Sequence, residues 1–230
     1  TTVENNNWYH LVVERSGATI TLYVNGVSED TYSIGTSEFI TSTSSYVNIG
    51  NVSNGSNLTE SAANGHIRDF RYVKGTAIYD GNFTPPTEPL EEVTNTKLLT
   101  CHLPYIADGS TNAHAITVVG SVTTQPLSPY DYGEYDPIDN GGSVYFGAYG
   151  DYLSSPISSD FAFGTDDFTV DLWFHPTKST DWRLLIDQVY TSLGIAIWLD
   201  VSGTLTFWPA ANTGVSQTDP VTFDTWNHAA

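Results

Sequence analysis

Three tryptophans and a scatter of acidic side chains are the residues whose types suit binding chemistry. In the run 168–174, Phe168, Val170, Leu172 and Phe174 share one face, while Thr169, Asp171 and Trp173 share the other. By the same alternation Ile195, Ile197 and Leu199 oppose Trp198, and Leu205 and Phe207 oppose Trp208. An indole face stacks on the apolar C–H surface of a pyranose, and Asp and Asn side chains fix the hydroxyls. Trp173, Trp198 and Trp208 are therefore candidate carbohydrate-binding residues that together would line a groove. The alternative is that both strand faces are buried, one by a partner sheet and one by a neighbouring domain. Asp151, Asp187 and Asp200, with the Asn-rich stretch 51–57, offer the hard oxygens that Ca²⁺ takes, without the spacing of an EF-hand loop.

Covalent chemistry finds less support. No Gly-x-Ser-x-Gly elbow occurs. His10 and His228 each follow a tryptophan at a strand-like position, where packing accounts for them better than a role as a base. The nearest acidic grouping is Asp166-Asp167 with Asp171, and Asp166-Asp167 falls in a turn. A lone cysteine, Cys101, lies in the run Leu98-Leu99-Thr100-Cys101-His102-Leu103 and reads as a small buried hydrophobe. It excludes an internal disulfide framework and a thiolate metal site. The expectation is a protein that is not an enzyme.

Charge narrows the partners. The 230 residues carry 26 acidic and 7 basic side chains, a formal charge of −19. Such a surface repels phosphate backbones and anionic membranes, which argues against nucleic-acid binding and membrane association. No apolar run is long enough to span a bilayer. Hydrophobic residues at 40% suffice for a real core.

These residues must be positioned by strands, since period-two alternation is common and helical periodicity nearly absent. Residues 19–24 put Ile20, Leu22 and Val24 on one face and run into Asn25-Gly26, the dipeptide suited to a type I′ turn. A second hairpin around Ser16-Gly17 joins them to 9–14. Further strands are expected at 46–50, 65–74, 143–146, 184–188, 193–199 and 204–207, with short ones at 97–103 and 115–119. The proline-rich stretch 83–90 cannot continue a sheet interior and marks a domain end. This divides the chain into 1–93, a connector 94–140, and 141–230. Four glycosylation-type sequons, at Asn51, Asn54, Asn57 and Asn82, are frequent enough to arise by chance in a chain this rich in Asn, Ser and Thr.

Three segments resemble the laminin-G-like branch of the concanavalin A-like lectin/glucanase superfamily. Gly150-Asp151-Tyr152-Leu153 with Phe168-Thr169-Val170-Asp171-Leu172-Trp173-Phe174 resembles its opening strands. Trp8-Tyr9-His10-Leu11-Val12-Val13 with Leu22-Tyr23-Val24-Asn25-Gly26 resembles its central hairpin, and Gly65-His66-Ile67-Arg68-Asp69-Phe70-Arg71-Tyr72 its closing strand. The resemblance implies an all-β jelly-roll antiparallel β-sandwich. The family order is inverted: 1–93 resembles the C-terminal half of a sandwich and 141–230 the N-terminal half. Trp226-Asn227-His228 resembles Trp8-Tyr9-His10, so the chain is either a window on a tandem array or one permuted domain.

The resemblance also implies calcium at sandwich edges and a structural Trp at position 173. Glucanase relatives carry closely alternating acidic residues on one strand, and no Glu-x-Asp-x-Glu pattern stands here. Ala77-Ile78-Tyr79, Asn82-Phe83-Thr84-Pro85-Pro86, Lys97-Leu98-Leu99-Thr100-Cys101 and Ala113-His114-Ala115-Ile116-Thr117-Val118 resemble structural proteins of tailed phages. That resemblance implies a virion or extracellular location, host or matrix glycans as partners, and homo-oligomers or fibres built from copies of the chain. An architectural spacer that packs on itself is the competing expectation, and a glycoside hydrolase the third.

Overall fold

The computed structural model describes residues 3–36, 46–51, 63–131, 136, 140–148, 150–177, 182–188, 195–209 and 215–216. Two antiparallel sheets enclose one core. The first contains β1 (Tyr9–Ser16), β2 (Thr19–Val24), β3 (Val27–Ser33), β5 (Gly65–Lys74), β6 (Thr96–Thr100), β8 (Thr123–Gln125), β9 (Ser143–Phe146) and β11 (Phe168–Pro176). The second contains β4 (Asn48–Ile49), β7 (Thr117–Val119), β10 (Tyr152–Ser154), β12 (Arg183–Asp187), β13 (Ile195–Leu199), β14 (Leu205–Pro209) and β15 (Val215–Ser216). The first runs in the order β3-β2-β1-β11-β5-β9-β8, with β6 also paired to β5. The second runs β15-β14-β13-β12-β4-β10-β7. The fold is the all-β sandwich expected, and among the described residues no helix is long and apolar enough to cross a membrane.

Alternation decides which side chains face inward. Leu11 and Val13 of β1, Ile20 and Leu22 of β2, Ile67, Phe70 and Tyr72 of β5, and Val170 and Leu172 of β11 meet Ile49, Leu153, Ile186, Ile197 and Phe207 of the second sheet in one buried cluster. The first sheet is assembled across the chain: β11 lies between β1 and β5, with Leu172 opposite Leu11 and Val170 opposite Tyr72. Residues 94–140 supply β6 and β8 to the first sheet and β7 to the second.

Local chemistry fixes the turns. Asn25 and Gly26 both take positive φ, 50° and 78°, as a type I′ hairpin requires. Gly26 is needed twice over, because a Cβ there would stand 1.9 Å from the Phe83 carbonyl oxygen. At the break in β5, Asp69 adopts φ 53° while the pairing shifts register between Asp171 and Trp173. There β5 changes partner from β9 to β6.

The stretch 75–93, expected to end a domain, is a strap across the outer face of the first sheet. Glu14 accepts from the backbone N–H groups of Ile78 and Tyr79 and from Thr169 Oγ1. Phe83 stacks on Tyr79 at 3.9 Å and meets Tyr23 and His10 edge-on. Phe83 N–H donates to the Gly26 carbonyl. Beneath the strap, Arg71 forms a fork on Asp171, Nε to Oδ1 at 3.2 Å and Nη2 to Oδ2 at 2.7 Å. Tyr79 adds its hydroxyl to Asp171 Oδ2 at 3.0 Å, and Arg71 Nη1 donates to the Glu91 carbonyl.

A buried fork of this kind is costly to halve. Replacing Arg71 by Leu leaves Asp171 uncompensated under the strap and should cost about 3–5 kcal/mol. The double variant R71L/D171L should recover most of that loss. Urea unfolding of the two variants checks this; equal losses in both would show that the pair does not hold the sheet.

Candidate functional site

The two sheets present two outer faces, and they differ. The first is closed. Trp173 is 8% exposed, and its ring lies 5.1 Å from His10 and 5.8 Å from Tyr130. Tyr130 donates to Asp69 Oδ2 at 2.6 Å, and Leu90 N–H donates to the same oxygen. Arg68 Nε stands 3.6 Å from Asp69 Oδ2, and Arg68 Nη2 reaches the Asn140 carbonyl. The polar row of β1, β11 and β5 is thus covered by the strap and by the segment carrying Tyr130.

The second outer face carries a continuous row. Register places Ser154 opposite Asn48, Asn48 opposite Asp187, Asp187 opposite Ala196, and Ala196 opposite Trp208. With strands about 4.8 Å apart, Asn48 and position 208 are separated by three spacings, about 14 Å. The next row sets Leu184 opposite Trp198, Trp198 opposite Thr206, and Thr206 opposite Ser216. Trp198 is partly exposed, and Trp182, half exposed, meets it edge-on at 6.3 Å. Asn48, Asp187 and Ala196 of the first row are buried, and among the described residues neither polar atom of the Asn48 amide has a hydrogen-bond partner.

The structure therefore separates residues that the sequence grouped. Trp198 and position 208 share the second sheet's face, whereas Trp173 stands on the first sheet, beneath the strap. The Trp208 side chain lies outside the described residues. Alternation within a strand marks a face as outer without saying which sheet owns it, so sequence alone groups Trp173 with the other two.

The calcium candidates are also dispersed. Asp151 accepts from the backbone N–H groups of Ser121, Gly147 and Ala148, and its Oδ1 would be 2.2 Å from a Cβ on Gly120. Asp200 accepts from Ser202 N–H and Oγ and from Thr204 N–H in the β13–β14 turn. Asp187 ends β12 and joins the Asn48 row. Register holds Asp187 and Asp200 at opposite ends of the β12–β13 pair, so the three do not converge on one ion. Among the described residues no three His, Cys, Asp or Glu side chains group to hold a metal. Of the stretch 51–57 only Asn51 is described, and His228 with Trp226-Asn227 lies outside the described residues, as do the sequon residues Asn54 and Asn57. Asn82 accepts from Ser28 N–H. Asn48, absent from the expected set, carried no motif; only the β4–β12 pairing reveals it.

A family model described as the concanavalin A-like lectin/glucanases superfamily, Laminin_G_3, matches residues 1–77 and 146–230. The chain belongs to this family, whose superfamily holds lectins and glucanases and makes a carbohydrate-binding or adhesion-type module its class. No curated protein and no solved structure matches the chain.

Burial tunes the imidazoles around the closed face. Burial, aided by Arg71, lowers His10 from 6.5 to about 3, and burial beside His175 lowers His66 to about 4. His102 and His175 are lowered by burial as well. A folded-state value below the unfolded one means that the unfolded chain takes up the protons as pH falls through 6.5, so stability is lost on acidification. Asp69, raised by burial to about 6, acts the other way at lower pH, where the folded state holds the extra proton. The urea midpoint should fall as pH drops from about 7.5 through 6.5 and go on falling, less steeply, below about pH 6, where Asp69 offsets one of the four histidine protons. A midpoint constant across the range would contradict this.

Proposed function

We propose that the protein is a non-enzymatic adhesion module that binds glycans on the outer face of the seven-stranded sheet. The observation that carries the reading is the aromatic pair at that face, Trp198 partly exposed and Trp182 half exposed, edge-on at 6.3 Å. Exposed indoles are the surfaces on which proteins stack a pyranose. Membership of a superfamily that holds lectins supports the same reading. The absence of catalysis is supported by the chemistry of the row beside them, since it bears one carboxylate where glycoside hydrolysis uses two across the scissile bond. We read the chain as one sandwich in permuted order, supported by the seating of β11 between β1 and β5. A virion or other extracellular surface, with host or matrix glycans as partners, is the setting that the connector residues suggest.

Isothermal titration with oligosaccharides tests the site. W198A and W208A should weaken binding at least about tenfold, the loss of one stacking platform, without moving the unfolding midpoint. W173A should lower the midpoint by several degrees, about 3–5 kcal/mol for a buried indole. Undiminished affinity in W198A, or reducing ends released from the oligosaccharide, would refute the proposal.

A further inference from the structure

The two accessible indoles of the second sheet's outer face do not lie side by side. Trp182 is 50% exposed and Trp198 partly exposed, with ring centroids 6.3 Å apart and planes at 80°. Indoles that carry successive residues of a straight glycan chain present their faces in one plane. Two rings nearly perpendicular and in edge contact form a corner, one ring the floor and the other the wall. Both therefore act on the same sugar residue, whose ring face lies on the floor while one of its edges meets the wall.

The wall decides what that edge carries. An indole face gives a hydroxyl no lone pair, so a sugar hydroxyl turned toward it loses water without regaining a hydrogen bond. The surroundings add little polarity. Thr206, opposite Trp198, shares a hydrogen bond of 2.9 Å with Ser216, and Asn48, Asp187 and Ala196 of the neighbouring row are buried. A methyl group is the substituent that such a wall favours. The polar edge of an indole is its N–H, a donor only, and it matches a carbonyl oxygen. An acetamido group brings both, a methyl for the ring and a carbonyl for the N–H, while its own N–H points the opposite way across the trans amide, toward water. We infer that the two indoles hold one sugar residue that bears an acetamido group, its ring on one indole and its methyl against the other. This rests on the glycan-binding reading above and adds to it the substituent recognised and the number of residues held.

The test titrates the whole chain with the methyl glycosides of N-acetylglucosamine and N-acetylgalactosamine, of their parent hexoses glucose and galactose, and of fucose, by calorimetry and saturation-transfer NMR. At least one acetamido sugar should bind about tenfold more tightly than its parent hexose, the worth of a methyl on an apolar wall, and its acetyl protons should take the largest saturation. A trisaccharide of the preferred residue should gain less than about threefold, because one corner gives no second point of attachment. W182A and W198A should each bring the acetamido sugar down to its parent hexose without moving the urea midpoint. Acetamido sugars that bind no better than their parents, a fucoside bound as tightly as they are, or affinity climbing steeply with each added residue would overturn this inference and leave glycan binding standing. Silence toward these glycosides and toward oligosaccharides alike would overturn both.

Discussion

The pairing of β11 between β1 and β5 is the constraint on which the rest of the molecule depends. It brings three segments far apart in sequence, 9–16, 65–74 and 168–176, into one sheet, and its cross-strand pairs do two jobs at once. On the inner side Val170 and Leu172 meet Val13, Leu11 and Tyr72 in the core. On the outer side Asp171 is delivered to Arg71 and Thr169 to Glu14. Those outer groups would be solvated in an open sheet. Here they anchor the strap, so the polar face becomes a second, hydrogen-bonded interior whose ion pair serves placement more than net stability.

Much of the fold was legible because its signals are local. Asn25-Gly26 specifies a turn within four residues, and the alternation in 168–174 and 65–74 marks strands without knowledge of their neighbours. The strap was not legible. Its prolines exclude it from a sheet interior, which is correct, yet nothing local says that Tyr79 and Phe83 lie down over His10 and Tyr23. The polar residues His10, Arg71 and Asp171 alternate with apolar ones, as any solvent-facing row does. Their burial follows from a segment distant from all three.

The candidate site divides along the same line. Trp198 could be picked out from its own strand. Asn48 could not, because an asparagine in a two-residue strand gains its meaning from Asp187 and Ser154 on either side. The dispersal of Asp151 and Asp200 has a similar cause. An aspartate in a Gly- or Ser-rich turn reads equally well as a metal ligand or as a cap for backbone N–H groups, and in this fold Asp151 and Asp200 cap.

The strap gives the sandwich a front and a back. With one broad face sealed by its own chain and the exposed Trp182 and Trp198 at the other, the module has handedness in how it is mounted. Several copies on one support would add avidity through these indoles only where their tryptophan faces point the same way, and a copy turned over would contribute mass without grip. Orientation at the point of attachment, as much as affinity, would then set the strength of the assembly.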